Sequence, residues 1–197
     1  MKTLVTLFLV FISSLATAQS AATWRVRGTI EAFDAPRLVV KEGSGQIIIL
    51  SLADNLTFQE VLPIDPEAIQ AGTFVGTAAL PRSDGALESI EVVVFPEAAR
   101  GTGEGHYPWD LKPESSMTNA TVSTLVRIPE GRKLTLRYKD GEKTVVVPAG
   151  IPVVTFKAGD RELIVPGAKV FIVATTRNGL PVATRLVIGR DGFAPPM

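Results

Sequence analysis

Two stretches of the chain, residues 37–51 (RLVVKEGSGQIIILS) and residues 133–147 (KLTLRYKDGEKTVVV), decide the fold. In each stretch apolar residues alternate with polar ones, a turn containing glycine follows, and a second apolar run comes after the turn. Alternation with a period of two places one face of a strand against a core and the other toward solvent. Each stretch therefore predicts a β-hairpin.

Around these hairpins the chain is similar to itself. Leu38 aligns with Leu134 at a spacing of 96 residues, and Gly72 aligns with Gly167 at a spacing of 95. A small drift in spacing is what short deletions in loops produce. A period this long is typical of a duplicated domain and exceeds the repeats of solenoid proteins.

Further turn signals complete the pattern in each half. The dipeptides at 84–85 (Asp-Gly) and 178–179 (Asn-Gly) accept the positive φ of tight hairpin turns, so the last two strands of each half should form a hairpin. Asp65 as a cap and Pro66 at the first helical position predict one helical turn in the first half. Residues 157–160 predict only a loop at the corresponding place in the second half.

About five strands in each half, with a turn or loop between the third and fourth, predict OB-like barrels. We predict an all-β protein with two tandem five-stranded OB-like barrels, at residues 19–96 and 119–197. An ordered Gly-rich segment at residues 97–118 should join them. Two small open β-sandwiches are the alternative, because they give nearly the same pattern.

The N-terminus has the features of a secretory signal peptide. Lys2 is followed by an apolar run at residues 4–12, and Ala16 and Ala18 are the small residues that a signal peptidase recognises. We expect cleavage after Ala18 and a periplasmic product, with no later segment long enough to span a membrane. The absence of cysteine excludes disulfides, thiolate metal sites and a cysteine nucleophile.

The net charge of zero hides an uneven distribution. Residues 19–96 carry ten acidic and five basic side chains, whereas residues 119–197 carry twelve basic and six acidic ones. Opposite charges on the two halves favour docking of one half on the other, either within a monomer or head to tail between chains.

The segment at 97–118 contains the single histidine, one of two tryptophans and one of two tyrosines. A flexible linker would not contain this many aromatic residues, so either the groove between the barrels or a ligand should bury Trp109. Gly-Glu-Gly-His at 103–106, Pro-Trp-Asp at 108–110 and Met-Thr-Asn-Ala-Thr-Val at 117–122 resemble a signature of proteobacterial exported proteins of unknown function. The resemblance implies periplasmic export and two OB-like repeats, and it implies no activity.

A metal site is one hypothesis for this segment. His106 with Glu104 and Asp110 would supply one nitrogen and several carboxylate oxygens, a set that suits zinc or manganese. The alternative is a structural histidine that is hydrogen-bonded to the barrel. Ser115 also lies near His106 and Asp110, but no nucleophile elbow is present, so we predict a protein that is not an enzyme. No cofactor other than a possible divalent metal is expected.

The basic second half suggests an anion-binding face. The candidate contact residues are basic side chains of the second barrel and two aromatic side chains of the linker: Lys133, Arg137, Lys139, Lys143, Tyr107 and Trp109. Nucleic acid is not expected, because Tyr138 falls on the core-facing phase of its strand and cannot stack with bases. We therefore predict a binding or scaffold protein that contacts an envelope protein or an anionic envelope polymer.

Overall fold

The computed structural model describes residues 22–197, so the signal-peptide prediction for residues 1–18 lies outside the described residues. This part of the chain contains twelve strands and four three-residue 3-10 turns, and none of its helices is long and apolar enough to cross a membrane. The strands are β1 (Thr23–Asp34), β2 (Arg37–Glu42), β3 (Ile47–Pro63), β4 (Phe74–Pro81), β5 (Leu87–Val94), β6 (Gly105–Pro108), β7 (Ser116–Ile128), β8 (Gly131–Tyr138), β9 (Gly141–Pro148), β10 (Val153–Ala158), β11 (Lys169–Arg177) and β12 (Leu180–Gly189).

Five strands close into a first barrel. They pair in the order β12-β11-β1-β2-β3, and parallel pairing of β12 with β3 closes the ring. Alternate positions of these strands supply an apolar interior in which the largest side chains are at most 1% exposed. These side chains are Val26, Ile30, Leu38, Val40, Leu50, Ile172, Leu186 and Ile188. The prediction of an all-β, barrel-forming chain is confirmed.

Five other strands form a second ring in the order β5-β4-β7-β8-β9. Parallel pairing of Leu87 with Val145 and of Glu88 with Val146 closes it. Its interior consists of small and branched apolar side chains, among them Val75, Val92, Val122, Leu134, Leu136 and Val145. The hairpin predicted from residues 37–51 is β2–β3 in the first barrel, and the one predicted from residues 133–147 is β8–β9 in the second ring.

Each ring combines strands from both halves of the chain. The first takes β1–β3 from the first half and β11–β12 from the second, whereas the second ring takes β7–β9 from the second half and β4–β5 from the first. This arrangement differs from the prediction of one barrel in residues 19–96 and another in 119–197. Because the two halves have similar strand patterns, the last hairpin of either half can complete the barrel of the other.

The exchange is made by strands that leave their own barrel. The 17-residue strand β3 continues past the first barrel, and its last residues pair antiparallel with β10. Val61 faces Phe156 at the centre of this pairing, and these two residues are 95 positions apart, the spacing of the sequence similarity. The pairing therefore lies on an approximate two-fold axis between the halves, and β10 also bridges to β5 of the second ring.

The connection after each crossing contains a capped 3-10 turn. Asp65 accepts a hydrogen bond from the Glu67 N–H at 2.8 Å, which confirms the predicted turn, here at Pro66–Ala68. Asp160 accepts one from the Glu162 N–H at 3.0 Å and begins a second turn. The prediction of only a loop at residues 157–160 was wrong, because an aspartate cap can begin such a turn without proline at the first position.

Ion pairs join the acidic first half of the chain to the basic second half. The buried Glu60 carboxylate accepts two 2.9 Å hydrogen bonds from Arg190 and lies 3.2 Å from the Lys157 amine. Glu67 pairs in the same sense with Arg132 at 2.7 Å. In both cases the acid comes from the first half and the base from the second, and the Glu60–Arg190 pair lies within the first barrel, where β3 pairs with β12.

Candidate functional site

The segment at 97–118 is ordered by backbone pairing with β7. Strand β6 lies antiparallel to the start of β7, with His106 opposite Thr118 and Pro108 opposite Ser116. Beyond β6, the Trp109 N–H donates to the Ser115 carbonyl oxygen at 2.8 Å. The Ser115 hydroxyl in turn lies 2.9 Å from the Trp109 carbonyl oxygen, so this serine holds the loop closed. Trp109 thus has a defined position between the barrels.

The indole of Trp109 lies among rings and a guanidinium. Its ring centroid is 6.2 Å from that of Tyr107 and 6.4 Å from that of Phe171, which comes from β11 in the first barrel. The Arg25 guanidinium lies 3.9 Å above the indole, in cation–π geometry. The barrels and Arg25 therefore cover much of Trp109, and burial by the barrels is one of the two possibilities that the sequence left open.

A cavity of about 140 Å³ remains beside Trp109, at the junction of the two barrels. Its walls come from strands of both rings and from the linker, and most of them are aromatic or apolar. The lining residues are Gly76, Val93, Phe95, Thr102, Gly103, Tyr107, Trp109, Met117, Asn119, Phe156, Phe171, Arg185 and Met197. Because the lining residues come from both rings and from the linker, the cavity forms only when both rings are assembled.

Two polar atoms in the cavity wall are buried and unpaired within residues 22–197: Trp109 Nε1 and Asn119 Oδ1. The amide nitrogen of Asn119 is satisfied, since it donates to the Thr102 carbonyl oxygen at 3.2 Å and to the Tyr107 hydroxyl at 3.1 Å. A buried donor or acceptor without a partner costs about 1–3 kcal/mol. Both atoms belong to side chains that line the cavity, so its wall contains one unsatisfied donor and one unsatisfied acceptor.

Arg185 brings a positive charge to the same cavity. Its Nε donates to the Gln59 side-chain oxygen at 2.9 Å, and its guanidinium lies 5.1 Å from the centre of the Phe156 ring. No carboxylate of the described chain forms an ion pair with it. Burial lowers the pKa of the Arg185 guanidinium, the direction expected for a desolvated cation that lacks a counter-ion.

Tyr107 shares this environment. Burial raises the pKa of its phenol, and the positive charges of Arg25 and Arg185 act in the opposite direction. The neutral phenol already accepts a hydrogen bond from Asn119, so it acts as a wall of the cavity and positions that amide.

The three residues of the metal hypothesis have separate partners. His106 Nδ1 lies 2.9 Å from the hydroxyl of the buried Thr118, and Glu104 accepts from the Lys139 N–H at 3.0 Å. Asp110 pairs with Arg27 at 2.7 Å. The structure does not bring the three together, and a search of residues 22–197 finds no cluster of three potential metal ligands.

The four basic candidate residues do not form one surface. Lys133 and Arg137 are exposed on one face of β8, and Arg137 lies 3.5 Å from Glu142. Lys143 is paired in register with the buried Leu136, so it faces the opposite side of the sheet. There its charge adds to burial, the larger effect, in lowering the pKa of His106.

Sequence reasoning singled out Tyr107 and Trp109 but missed Arg185 and Asn119 as members of one site. Arg185 is the one charged residue of β12, and a lone charge in a mostly apolar strand is a signal for a group that faces a cavity. In the sequence Asn119 stands out only as part of the motif at 117–122.

In comparisons with known proteins, no family model, no curated protein and no solved structure matches this chain.

Proposed function

We propose that this chain is an exported, periplasmic binding protein that holds a small ligand by noncovalent contact in the cavity between its barrels. One observation carries the proposal: Trp109 lines a 140 Å³ cavity, and its Nε1 is a buried hydrogen-bond donor that has no partner in the described chain. A ligand acceptor would remove the cost of that unpaired donor.

The arrangement favours binding over turnover. The hydroxyl of Ser115 lies within hydrogen-bond distance of two carbonyl oxygens, those of Trp109 and Lys112, and His106 pairs with Thr118 outside the cavity. Neither residue is placed as a nucleophile and base. The cavity wall consists of residues that contact a ligand, with Arg185 as its charged member.

A duplicated origin fits this function. If the two halves arose by duplication, the exchange of hairpins fastens them into one unit. The linker is then an insertion between the copies, and it supplies Tyr107 and Trp109 to the cavity. In this proposal the site exists because the linker lies where the two similar barrels meet.

The test uses the mature chain from residue 19 with Trp24 replaced by Phe, so that Trp109 is the only tryptophan. Its emission is titrated with three flat probes of different charge: benzoate, benzamide and benzamidine. We expect at least one to change the emission with saturation. Val93→Phe, which places a ring in the cavity, should abolish the change, whereas Val126→Phe at an exposed position should not.

If none of the three probes changes the emission, or if Val93→Phe binds as well as the control, the proposed function is wrong. Circular dichroism and thermal melts on both variants show whether each still folds, since overpacking a core commonly costs about 1–3 kcal/mol.

A further inference from the structure

We infer that the cavity between the barrels takes a small aromatic carboxylate, with its ring among the aromatic walls and its carboxylate on Arg185. This inference rests on the proposed function and names the chemical class of its ligand. It follows from the size of the cavity, the chemistry of its walls and the charge that they leave unpaired.

The size admits a single ring. An apolar cavity of about 150 Å³ is known to bind benzene, and the volume here is about 140 Å³. A bicyclic ligand would need walls to move, because close-packed interiors yield little. A benzene ring with one substituent directed toward Arg185, which is only partly buried, fits without such movement.

The walls favour a flat, apolar body. Five aromatic side chains surround the space, and they come from four separate segments of the chain: Phe95, Tyr107 with Trp109, Phe156 and Phe171. Aromatic pairs gain energy in offset-stacked and edge-to-face arrangements beyond the area that they bury. The sulfur atoms of Met117 and Met197 add polarisable contacts that suit a ring edge.

The unpaired charge selects an anion. Only Nε of Arg185 has a hydrogen-bond partner among the described residues, and its remaining N–H groups form a fork that matches a carboxylate. Arg25 is the contrasting case, because Asp110 lies 3.5 Å from its guanidinium and supplies a counter-ion. A cationic ligand would be repelled by Arg185, and a neutral one would leave its charge without a partner.

The two unpaired atoms agree with this class. Trp109 Nε1 needs an acceptor, which a carboxylate provides. Asn119 Oδ1 needs a donor, which a hydroxyl on the ring would provide. Gly76 allows the Asn119 amide and the Phe95 ring to pack against the backbone of β4, because a Cβ there would lie 2.4 Å from that amide oxygen and 2.9 Å from the Phe95 ring.

The test compares benzoate with benzamide, a neutral isostere of the same shape, in the Trp24→Phe protein. Acetate and inorganic phosphate serve as anions without a ring. Benzoate should bind at least about tenfold more tightly than benzamide, because hydrogen bonds to charged groups are the stronger ones. Both ringless anions should bind at least about tenfold more weakly than benzoate.

Arg185→Gln should reduce the benzoate affinity at least about tenfold more than the benzamide affinity, so that the preference for benzoate disappears. Arg177→Gln removes an equal charge from an exposed position on β11 and should change neither affinity. The comparison of the two probes in the unsubstituted site needs no folded variant, so the inference stays falsifiable if Arg185→Gln does not fold.

Equal affinities for benzoate and benzamide would overturn the carboxylate assignment, as would a benzoate preference that survives in folded Arg185→Gln. Acetate or phosphate binding as tightly as benzoate would overturn the aromatic assignment. In these cases loss of benzamide binding in Val93→Phe would still support the cavity as a ligand site, so the two failures are distinguishable. If no probe binds, both proposals are wrong.

Discussion

Replacing Glu91 with glutamine should make the protein more stable at pH 8 and leave its stability nearly unchanged near pH 4.5. Glu91 on β5 is fully buried. Its Oε1 accepts a hydrogen bond from the Ala78 N–H at 3.0 Å, and its Oε2 has no partner within the described residues. Burial raises the pKa of Glu91 to about 7, and the hydrogen bond from Ala78 opposes that shift only in part.

The direction of the pH dependence follows from proton binding. In the unfolded chain the carboxyl should titrate near its ordinary value of 4.5, whereas in the folded chain it titrates near 7. Between these two values the folded chain holds one proton more than the unfolded chain, so stability falls as the pH rises. Each unit of pKa corresponds to about 1.4 kcal/mol, so the loss amounts to about 3 kcal/mol and is complete above pH 7.

Glutamine keeps an oxygen for the Ala78 N–H and carries no charge at any pH. The assay is urea denaturation of both proteins at pH 5, 6, 7 and 8. The difference between the two free energies of unfolding should increase with pH to about 3 kcal/mol. Taking this difference cancels the contribution of His106, whose pKa is lowered by burial and by Lys143 and which therefore has the opposite pH dependence.

Glu88→Gln is the matched control, because Glu88 lies on the same strand but is half exposed and pairs with Arg82. It should not reproduce the increase with pH, because its exposed side chain lacks the burial that raises the pKa of Glu91. A Glu91→Gln difference that is the same at all four pH values would refute the reasoning, since an uncharged or normally titrating Glu91 would produce that result.

Three further predictions follow from the packing. Thr29 and Lys169 are register partners in β1 and β11 of a chain without cysteine. If both are replaced by cysteine, a short bis-maleimide should join them within one chain. Monomers that stay unlinked would exclude the hairpin exchange. Gly189→Ala should lower stability by at least about 2 kcal/mol, since its Cβ would lie 1.7 Å from a backbone carbonyl oxygen, whereas Gly43→Ala, with open space around it, should be near neutral in thermal melts. Glu60→Gln should cost about 1–3 kcal/mol at pH 7. Hydrogen bonds from its arginine partner lower the pKa of Glu60. The contribution of Glu60 to stability is therefore present above pH 4.5 and is lost as the pH falls through the folded pKa. A cost that is equal at pH 7 and pH 3 in urea denaturation would contradict this prediction.

The features that sequence reasoning predicted correctly depend on neighbours in the chain. A hairpin turn at Asp84-Gly85 needs a glycine that adopts positive φ, and Gly85 has a φ of 82°. The cap at Asp65 needs only the N–H two residues later. Such interactions involve few residues at short separation, so their signals survive in a linear reading.

The candidate site depends on distant parts of the chain and was predicted only in part. Tyr107 and Trp109 stood out because aromatic residues are unusual in a glycine-rich segment. Arg185 had no such local context, because its role comes from what surrounds it: Phe156 on one side, and no carboxylate of the described chain within reach. A sequence alone does not distinguish an arginine that has counter-ions nearby from one that has none.

The hairpin exchange could not be predicted for a related physical reason. A barrel completed by its own last hairpin and one completed by the hairpin of the other half have nearly the same strand neighbours, so their local energies are similar. What separates them is the crossing, where β3 extends through 17 residues and meets β10 around Val61 and Phe156. The β3–β10 ladder and the buried Glu60–Arg190 pair both join the first half of the chain to the second. The cavity results from the same geometry, since the crossing brings Phe156 and Phe171 to the position where the linker places Trp109.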